Sequence, residues 1–465
     1  MRRLRRFRLP HPLVLLVVCV FIAAAASWVL PAGRFERHDD PATGRSVVVP
    51  GTYHRVAPAP VGPFQAVVAI PKGLEAAADV VFLVFLVGGA FTVVEQTGAL
   101  RRAVGRLVQA MARRETWVIP IVSAAFALGG LTENMQEEII AFVPILLVLA
   151  RQLGFDALTA CAMSVGSAAV GAAFSPINPF QVQIAQKLAQ LQPGSGGLFR
   201  TAFLLLALTL WTWAIVRHGA RVRAARVAVG PAAGETEAEL AAAEAEVAAE
   251  QPLGWRLTVV LLLVAAAFVM LVVGLQVLGW GFDELSALFL VMGVAAGLIA
   301  GLGIAGTTNA FVEGFRGMTT AALLIGFARA ISVVLEEGQV LDTLVHGLFA
   351  PLAGLPVAAS AAAMMAAQAL VHVPVPSVSG QAVLTMPILV PLSDLLGLSR
   401  QVTVLAYQYG AGLTELLTPT NGALMAILAA AGVGFDEWLR FAVRWVVLLA
   451  LLGLVAMGVA VAVGL

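Results

Sequence analysis

The sequence predicts an all-α polytopic membrane protein built from two inverted repeats, with about nine transmembrane helices, two re-entrant hairpins and two broken helices. Of its 465 residues, 60% are hydrophobic and only 12% are charged, whereas a soluble domain carries about 25% charged residues. A segment also occurs twice, because Pro144–Asn178 aligns without a gap with Pro387–Asn421. Both copies are apolar and end in a proline with polar neighbours, a pattern typical of secondary transporters with a site at the bilayer midplane.

Residues 1–217 are predicted to form the first repeat. Three apolar runs are long enough to cross a bilayer, and they occupy Leu13–Pro31, Ala78–Thr97 and Leu198–Val216. A polar loop is predicted over Ala32–Ala69. The arginine-rich stretch Leu100–Arg114 is predicted to be an amphipathic helix on the membrane surface.

Two irregular segments complete this repeat. Residues 117–151 are apolar at both ends but carry several charges in the middle. Because those charges cannot face lipid, we expect a re-entrant hairpin with a buried polar tip. Residues 157–190 are predicted to form a span broken at Ser175–Pro179.

The second half repeats this plan after a cytoplasmic linker over residues 218–254. Residues 255–465 are predicted to contain a linking helix and the second repeat, with a hairpin over 355–396 and a helix over 402–432 broken at Thr418–Gly422. The remaining predicted spans are Leu257–Gly279, Leu285–Ile304, Thr319–Leu335 and Trp438–Val463. Since a single span links the halves, the second repeat starts on the opposite side of the membrane. The distribution of Lys and Arg places the N-terminus in the cytoplasm.

The two helix breaks are candidate binding sites. Proline removes a backbone donor and disturbs the preceding turn, and irregular backbone is tolerated in a bilayer only where it lines a polar cavity. Freed carbonyls can bind a cation, and a half-helix N-terminus favours an anionic group. The candidate ligands here are Ser175, Asn178, Thr418, Thr420 and Asn421. A plain proline kink is the alternative for either break.

The two hairpin tips differ in charge. The first tip offers Glu133, Asn134, Glu137 and Glu138, whereas the second offers Ser377, Ser379, Gly380 and Gln381. The acidic tip is suited to a cationic substrate group, a proton or Na⁺, unless it simply faces an aqueous vestibule. The prediction for metals is therefore limited to Na⁺ at the tips and breaks, without single ligands.

Three isolated polar residues complete the candidates. Arg329 interrupts an apolar run, and it either pairs with a carboxylate or snorkels to the headgroups. Glu415 lies one turn before Thr418 and is a candidate proton or ion group, or a wall residue of a water-filled pocket. For His372 a structural role is favoured.

No nucleotide-binding, zinc or nucleophile-elbow pattern occurs, and the net charge of +1 gives no indication of nucleic-acid binding. Energy would then come from an ion gradient or from exchange. A channel would need a continuous polar stripe, and none occurs over Leu257–Ile304. An enzyme would need a paired nucleophile and base, and no such pair is recognisable. A channel and an enzyme are therefore less favoured than a transporter.

Several motifs resemble those of a known family. Ser379-Gly380-Gln381-Ala382, Leu384-Thr385-Met386-Pro387 and Arg400–Ala406 are similar to the YfcC-type carriers, as is Gly88-Gly89-Ala90-Phe91 in the first half. These carriers group with the C4-dicarboxylate anaerobic carriers of the ion transporter superfamily. The resemblance implies nine spans, two hairpins, frequent dimerisation, and basic amino acids or dicarboxylates as substrates.

The sequence and the resemblance together predict a non-enzymatic secondary transporter that works by alternating access. The expected substrate is a small amino acid, basic or zwitterionic, with a C4-dicarboxylate or other small organic acid as the alternative. We expect no cofactor other than Na⁺ or H⁺ as coupling ion. The expected partners are the substrate and the lipid bilayer, with a homodimer as a candidate assembly. The expected location is the bacterial cytoplasmic (inner) membrane, with several passes.

Overall fold

The protein is described from a computed structural model covering residues 12–40, 45–99, 102, 117–192, 194–229, 254–274, 278, 280–354 and 356–465. Almost all of the predicted surface helix Leu100–Arg114 and residues 230–253 of the predicted linker lie outside these residues.

The first half is almost entirely helical. Its helices are α1 (Pro12–Val29), α2 (Pro63–Ala76), α3 (Ala78–Gln96), α4 (Val118–Glu133), α5 (Val143–Gln152), α6 (Ala157–Cys161), α7 (Ser167–Ala173), α8 (Ile184–Leu188) and α9 (Gly197–Val229). A 3₁₀ turn, Glu137–Phe142, joins α4 to α5, and π turns cover Ala162–Gly166 and Pro179–Gln183. Hairpin one is therefore α4, its tip and α5, and the first broken helix runs from α6 to α8.

The second half also contains a hairpin, followed by a broken helix and a last long helix. Its helices are α10 (Trp255–Val273), α11 (Phe282–Ala300), α12 (Gly303–Glu337), α13 (Leu341–Phe349), α14 (Val357–His372), α15 (Val378–Leu395), α16 (Arg400–Thr414), α17 (Gly422–Ala431) and α18 (Phe435–Val463). A 3₁₀ turn, Ala350–Gly354, follows α13. Hairpin two consists of α14, its tip and α15, and the second broken helix consists of α16 and α17.

The loop after α1 has more structure than the sequence predicts. Strand β1 (Gly33–Arg34) pairs with β4 (His54–Arg55), and β2 (Arg37–Asp40) pairs with β3 (Arg45–Val48), both antiparallel. Helix α2 then forms within a region predicted mainly as loop. This helix packs closely on α12, since a Cβ on Gly73 would lie 2.4 Å from the Gly326 carbonyl oxygen.

Small residues let each hairpin pack closely against a broken helix. The first leg α4 packs on α7, and the first leg α14 packs on α16. A Cβ on Gly171 would lie 2.2 Å from the Ala127 carbonyl oxygen, and one on Gly410 would lie 2.4 Å from the Met365 carbonyl oxygen. Such contacts are typical of helix pairs in membranes.

The second legs cross between the repeats. Helix α15 of hairpin two packs on α8, and α17 packs on α5 and on the 3₁₀ turn of hairpin one. The second half of each broken helix is thus held by the hairpin of the other repeat. This arrangement brings both hairpin tips to the second helix break.

Among the described residues, six helices have the length and composition to cross a membrane, which agrees with the predicted class of helical membrane protein. They are Ala78–Gln96, Gly197–Ala225, Phe282–Ala300, Gly303–Glu337, Val378–Leu395 and Phe435–Val463. Shorter apolar helices at Leu13–Val29 and Trp255–Leu271 coincide with two further predicted spans. The count of nine crossings stays a prediction.

Two helices run beyond the predicted boundaries. Helix α12 starts at Gly303 rather than near Thr319. Helix α9 continues past residue 217 into the predicted linker, where the side chain of His218 lies 2.9 Å from the carboxylate of Asp156. Alanine and arginine favour helix, so the helix does not end where the apolar run ends.

Candidate functional site

A cavity of ≈ 800 Å³ lies where the two hairpin tips meet the second helix break, the start of α3 and the C-terminal part of α12. This volume is within the usual range for small-molecule sites. The predicted site residues that line it are Asn134, Glu137, Glu138, Arg329, Ser377, Ser379, Gly380, Glu415, Thr420 and Asn421. The structure therefore brings together ten of the predicted residues from both halves.

The tip of hairpin one is shaped by a left-handed residue. Asn134 has φ 57°, and its backbone N–H donates to the Gly130 carbonyl at 3.1 Å, which ends α4. Asparagine tolerates this conformation better than most residues. The chain then turns into the 3₁₀ segment that carries Glu137 and Glu138. Glu138 accepts a hydrogen bond from the Gln136 backbone N–H at 3.2 Å. For Glu133, the structure describes only the backbone, as the last residue of α4.

The second helix break places a buried carboxylate beside this tip. Glu415 is 4% exposed and follows the last residue of α16. Its Oε2 accepts a hydrogen bond from the side-chain amide of Gln136. Asn421 caps α17 by accepting from the Leu424 N–H, and its own amide donates to Gln136 Oε1 at 3.0 Å. Gln136 thus joins hairpin one to both ends of the break.

The same break is attached to hairpin two. The hydroxyls of Thr418 and Thr420 are 2.7 Å apart, and Thr420 donates to the Val373 carbonyl at 2.6 Å. Thr418 is buried and is not among the residues lining the cavity.

The tip of hairpin two combines a cap with a buried amide network. The Ser377 hydroxyl accepts from the Gly380 N–H at 3.3 Å, which starts α15. Gln381 is fully buried behind the cavity wall and does not line it. Its Nε2 donates to the Gln368 backbone carbonyl at 2.7 Å, and its Oε1 lies 2.8 Å from His372 Nδ1.

The first helix break does not line the cavity, although its residues are predicted as candidate ligands. The Ser175 hydroxyl donates to the Leu131 carbonyl at 2.8 Å. The Asn178 amide donates to the Gly130 carbonyl at 2.7 Å, and its Oδ1 accepts from the Phe180 and Gln181 N–H groups. The polar groups of both side chains are therefore occupied in holding hairpin one and capping the second half of the broken helix.

A buried cation supports this first break. Gln408 Nε2 donates to the Ser175 carbonyl at 2.8 Å, and Gln408 Oε1 accepts from the guanidinium of Arg200. Arg200 is 1% exposed and also donates to Gln401 at 3.1 Å. The helix break was expected to leave backbone carbonyls free to bind a cation. The Ser175 carbonyl is instead hydrogen-bonded to the protein.

Arg329 presents an exposed guanidinium to the cavity from α12. Within the described part of the chain it makes no ion pair, and neither does Glu137, which also lines the cavity. Arg37, which also lines the cavity, differs because its Nη2 lies 2.7 Å from Asp342 Oδ1. The cavity therefore offers the guanidinium of Arg329 and the carboxylate of Glu137, together with those of Asp79 and Glu336, without an ion-pair partner among the described side chains.

Four residues that shape this region are not among the predicted candidates: Asp79, Gln136, Arg200 and Gln408. Gln136 lies within the acidic tip, so its position was a usable signal. Arg200 stands inside an apolar run, but near its end, where an interfacial arginine is common. Asp79 and Gln408 have no local pattern that distinguishes them.

Groups of three or more His, Cys, Asp or Glu side chains suited to a metal ion are absent from the described residues. The predicted Na⁺ would use hydroxyl and carbonyl oxygens instead, and it stays a prediction.

Comparisons with known proteins agree with the family resemblance. A family model described as C4-dicarboxylate anaerobic carrier matches residues 9–463. An Escherichia coli (strain K12) protein named "Putative basic amino acid antiporter YfcC" is 31% identical over 94% of this chain and 93% of its own length. A Haemophilus influenzae protein without an assigned function is 28% identical over 97% of both chains.

Two solved transporter structures are also similar to this chain. The Alcanivorax borkumensis YdaH transporter has a TM-score of 0.43 at 19% identity, covering 98% of this chain and 99% of its own. Neisseria gonorrhoeae MtrF, described as one of a class of antimetabolite efflux pumps, has a TM-score of 0.40 at 17% identity, covering 97% and 94%.

Proposed function

The chain belongs to the C4-dicarboxylate anaerobic carrier family, and from this we propose that it is a secondary active transporter of a small amino acid, zwitterionic or basic, bound between the two hairpin tips. Transport is the activity that the family's description and the name of the Escherichia coli relative both give. The amino-acid substrate, the ion coupling and the placement in the bacterial inner membrane with a cytoplasmic N-terminus are parts of the proposal.

One observation carries the choice of substrate. Glu137 and Arg329 face the same cavity, and neither is paired with another described side chain. Charges at membrane depth are costly unless they are neutralised or hydrated. An α-amino acid carries one group for each of them, since its ammonium suits Glu137 and its carboxylate suits Arg329. A basic side chain would find further acidic groups on the wall at Asp79 and Glu336.

A C4-dicarboxylate is the second candidate, and one feature favours it. Helix α17 begins at Gly422, which lines the cavity, so its N-terminus offers backbone donors to an anion in addition to Arg329. The carboxylates on the cavity walls weigh against a substrate with two negative charges, because each would repel it.

The proposed transport cycle uses the crossed packing of the repeats. Each hairpin contacts the broken helix of the other repeat, so a rocking motion of one repeat changes both contacts together. Opposite entry of the two hairpins would expose the cavity to each side in turn, as in other inverted-repeat carriers.

The test is transport by the purified protein in proteoliposomes, with radiolabelled lysine, glutamine and succinate as separate substrates. Cadaverine, which is lysine without its carboxylate, and 6-aminohexanoate, which lacks the α-amino group, serve as competitors. We expect Arg329→Gln to weaken lysine binding by about 10- to 100-fold, the loss expected for one hydrogen bond to a charged group, and to remove the preference for lysine over cadaverine.

Glu137→Gln should weaken the binding of lysine and of cadaverine by a similar factor. Glu337→Gln is the matched control, because it removes an exposed carboxylate of α12 that does not line the cavity. Transport of succinate but not of lysine or glutamine, lost in Arg329→Gln and kept in Glu137→Gln, would reject the amino-acid proposal in favour of the dicarboxylate.

A further inference from the structure

A buried histidine and a buried glutamate face each other at the point where both hairpins meet the second helix break. His372, the last residue of α14, is fully buried, and Glu415 is 4% exposed. His372 Nε2 lies 3.9 Å from Glu415 Oε1, while the other carboxylate oxygen of Glu415 accepts from Gln136. Glu415 also lines the cavity, whereas His372 lies behind it.

The surrounding hydrogen bonds determine which nitrogen of His372 carries a hydrogen. Gln381 Nε2 donates to the backbone carbonyl of Gln368, which can only accept. This fixes the orientation of the Gln381 amide, so its Oε1 is the atom facing His372 Nδ1 at 2.8 Å. Nδ1 must therefore donate, and in the neutral ring Nε2 carries a lone pair and no hydrogen.

That lone pair has no partner as the structure stands. His372 Nε2 is buried and accepts no hydrogen bond from any described group, and Oε1 of Glu415 lies 3.9 Å from it. Two acceptors facing each other repel, and an unpaired buried polar group is costly. One proton placed between them removes both costs, either as a carboxylic acid donating to Nε2 or as an imidazolium beside a carboxylate.

We propose that His372 and Glu415 together hold one exchangeable proton and form the coupling-ion site of this carrier. This inference rests on the proposed transport function and adds the identity of the ion. On loading, a proton from water in the cavity binds the pair. On release, the proton returns from Glu415 to that water, leaving a carboxylate held by Gln136.

The charges around the pair link its proton to the substrate. The charged groups that line the cavity with Glu415 come from the first loop, α3, hairpin one and α12, and they are Arg37, Asp79, Glu137, Glu138, Arg329 and Glu336. Helices α14, α16, α17 and α18 add no other charged residue to that lining. Farther along α16, Arg200 reaches the helix through Gln408.

Because Glu137 and Glu415 share the cavity, a proton on the pair and a substrate ammonium group offset the same negative charge. Their simultaneous binding is less favourable than either alone, which favours exchange of substrate for proton over co-transport.

The first test needs no substrate. Infrared spectra of the purified protein, recorded between pH 5 and pH 9, should contain a carbonyl stretch from a protonated buried carboxylic acid. We expect Glu415→Gln to remove this band, and His372→Gln, which keeps the carboxyl group but not its partner, to shift its frequency and its titration midpoint. Glu336→Gln, which removes an exposed carboxylate of the same cavity, should leave the band unchanged.

Three results would overturn the proposal. They are a spectrum without a band that depends on Glu415, a Glu415 band unaffected by His372→Gln, and a Glu415 signal that responds to Na⁺ but not to pH. None of these results bears on the substrate, so the amino-acid proposal would stand or fall separately.

The second test measures proton movement. Proteoliposomes loaded with a pH-sensitive dye and lysine should take up protons when lysine flows out through the unaltered protein. Glu415→Gln should still exchange internal for external lysine but should move no protons. Lysine efflux without a change in internal pH in the unaltered protein would reject proton coupling, whereas a failure to transport lysine with an intact infrared result would reject only the proposed substrate.

Discussion

Replacing Asn178 by alanine should destabilise the protein without weakening substrate binding. The aligned change Asn421→Ala should destabilise the protein and also weaken substrate binding. Asn178 caps the second half of the first broken helix by accepting from the Phe180 and Gln181 N–H groups. Loss of such a cap costs about 0.5–2 kcal/mol.

A second contact adds to this cost. The Asn178 amide donates to the Gly130 carbonyl at 2.7 Å, but that carbonyl also accepts from the Asn134 N–H at 3.1 Å. It therefore keeps one partner in the variant, and the loss is limited to about 1 kcal/mol for one hydrogen bond. The expected destabilisation by Asn178→Ala is thus about 1.5–3 kcal/mol in total.

Asn421 has the same capping role at α17, but its amide also holds Gln136, which binds Glu415. Its loss should raise KM for transport in proteoliposomes, in addition to lowering stability. Stability is measured as the midpoint of unfolding by sodium dodecyl sulfate in mixed micelles, followed by circular dichroism. A rise in KM for Asn178→Ala as large as that for Asn421→Ala, with an unchanged unfolding midpoint, would refute the assignment of the cavity to the second break.

Three further predictions follow from packing, charge and topology. Gly410→Val should prevent folding or transport, because a Cβ there would lie 2.4 Å from a backbone oxygen. Gly317→Ala should express and transport normally, because nothing lies within 4 Å of its Cβ. Size-exclusion profiles of the two variants are compared. Burial alone would raise the pKa of Asp156, but hydrogen bonds from its histidine and threonine partners outweigh it and hold the pKa below its ordinary value. A depressed carboxyl pKa stabilises the fold above the unfolded value of about 3.9, so the difference in unfolding midpoint between the unaltered protein and Asp156→Asn should be present at pH 7 and shrink as the pH falls towards 3; a difference that grows on acidification contradicts this. Finally, in a background without other cysteines, Arg55→Cys should react with an impermeant maleimide added to whole cells and Arg221→Cys only after permeabilisation, whereas equal labelling of both from outside contradicts the predicted orientation.

The helical membrane class followed from the sequence, because hydropathy and helix breakers act over short distances along the chain. The family followed from motifs such as Ser379-Gly380-Gln381-Ala382, which resemble those of its members. The acidic tip was recognisable for the same reason, since charges such as Glu137 in an apolar run have few places to lie in a membrane. The gapless repeat also indicated that the two breaks were equivalent. That equivalence holds for capping, because Asn178 and Asn421 each start a half-helix.

Tertiary structure decided which break forms the cavity, because this depends on partners far away along the chain. At the first break, Gln408 donates to the Ser175 carbonyl, 233 positions away in the sequence, so this carbonyl is not free. At the second break, Gln136 donates to Glu415, 279 positions away. No local pattern encodes such pairs, since either glutamine alone is an ordinary polar residue. The facing of His372 and Glu415 likewise depends on how hairpin two packs on the second broken helix. The sequence therefore determined the elements and the candidate chemistry, and long-range packing determined which polar groups bind each other and which face the cavity.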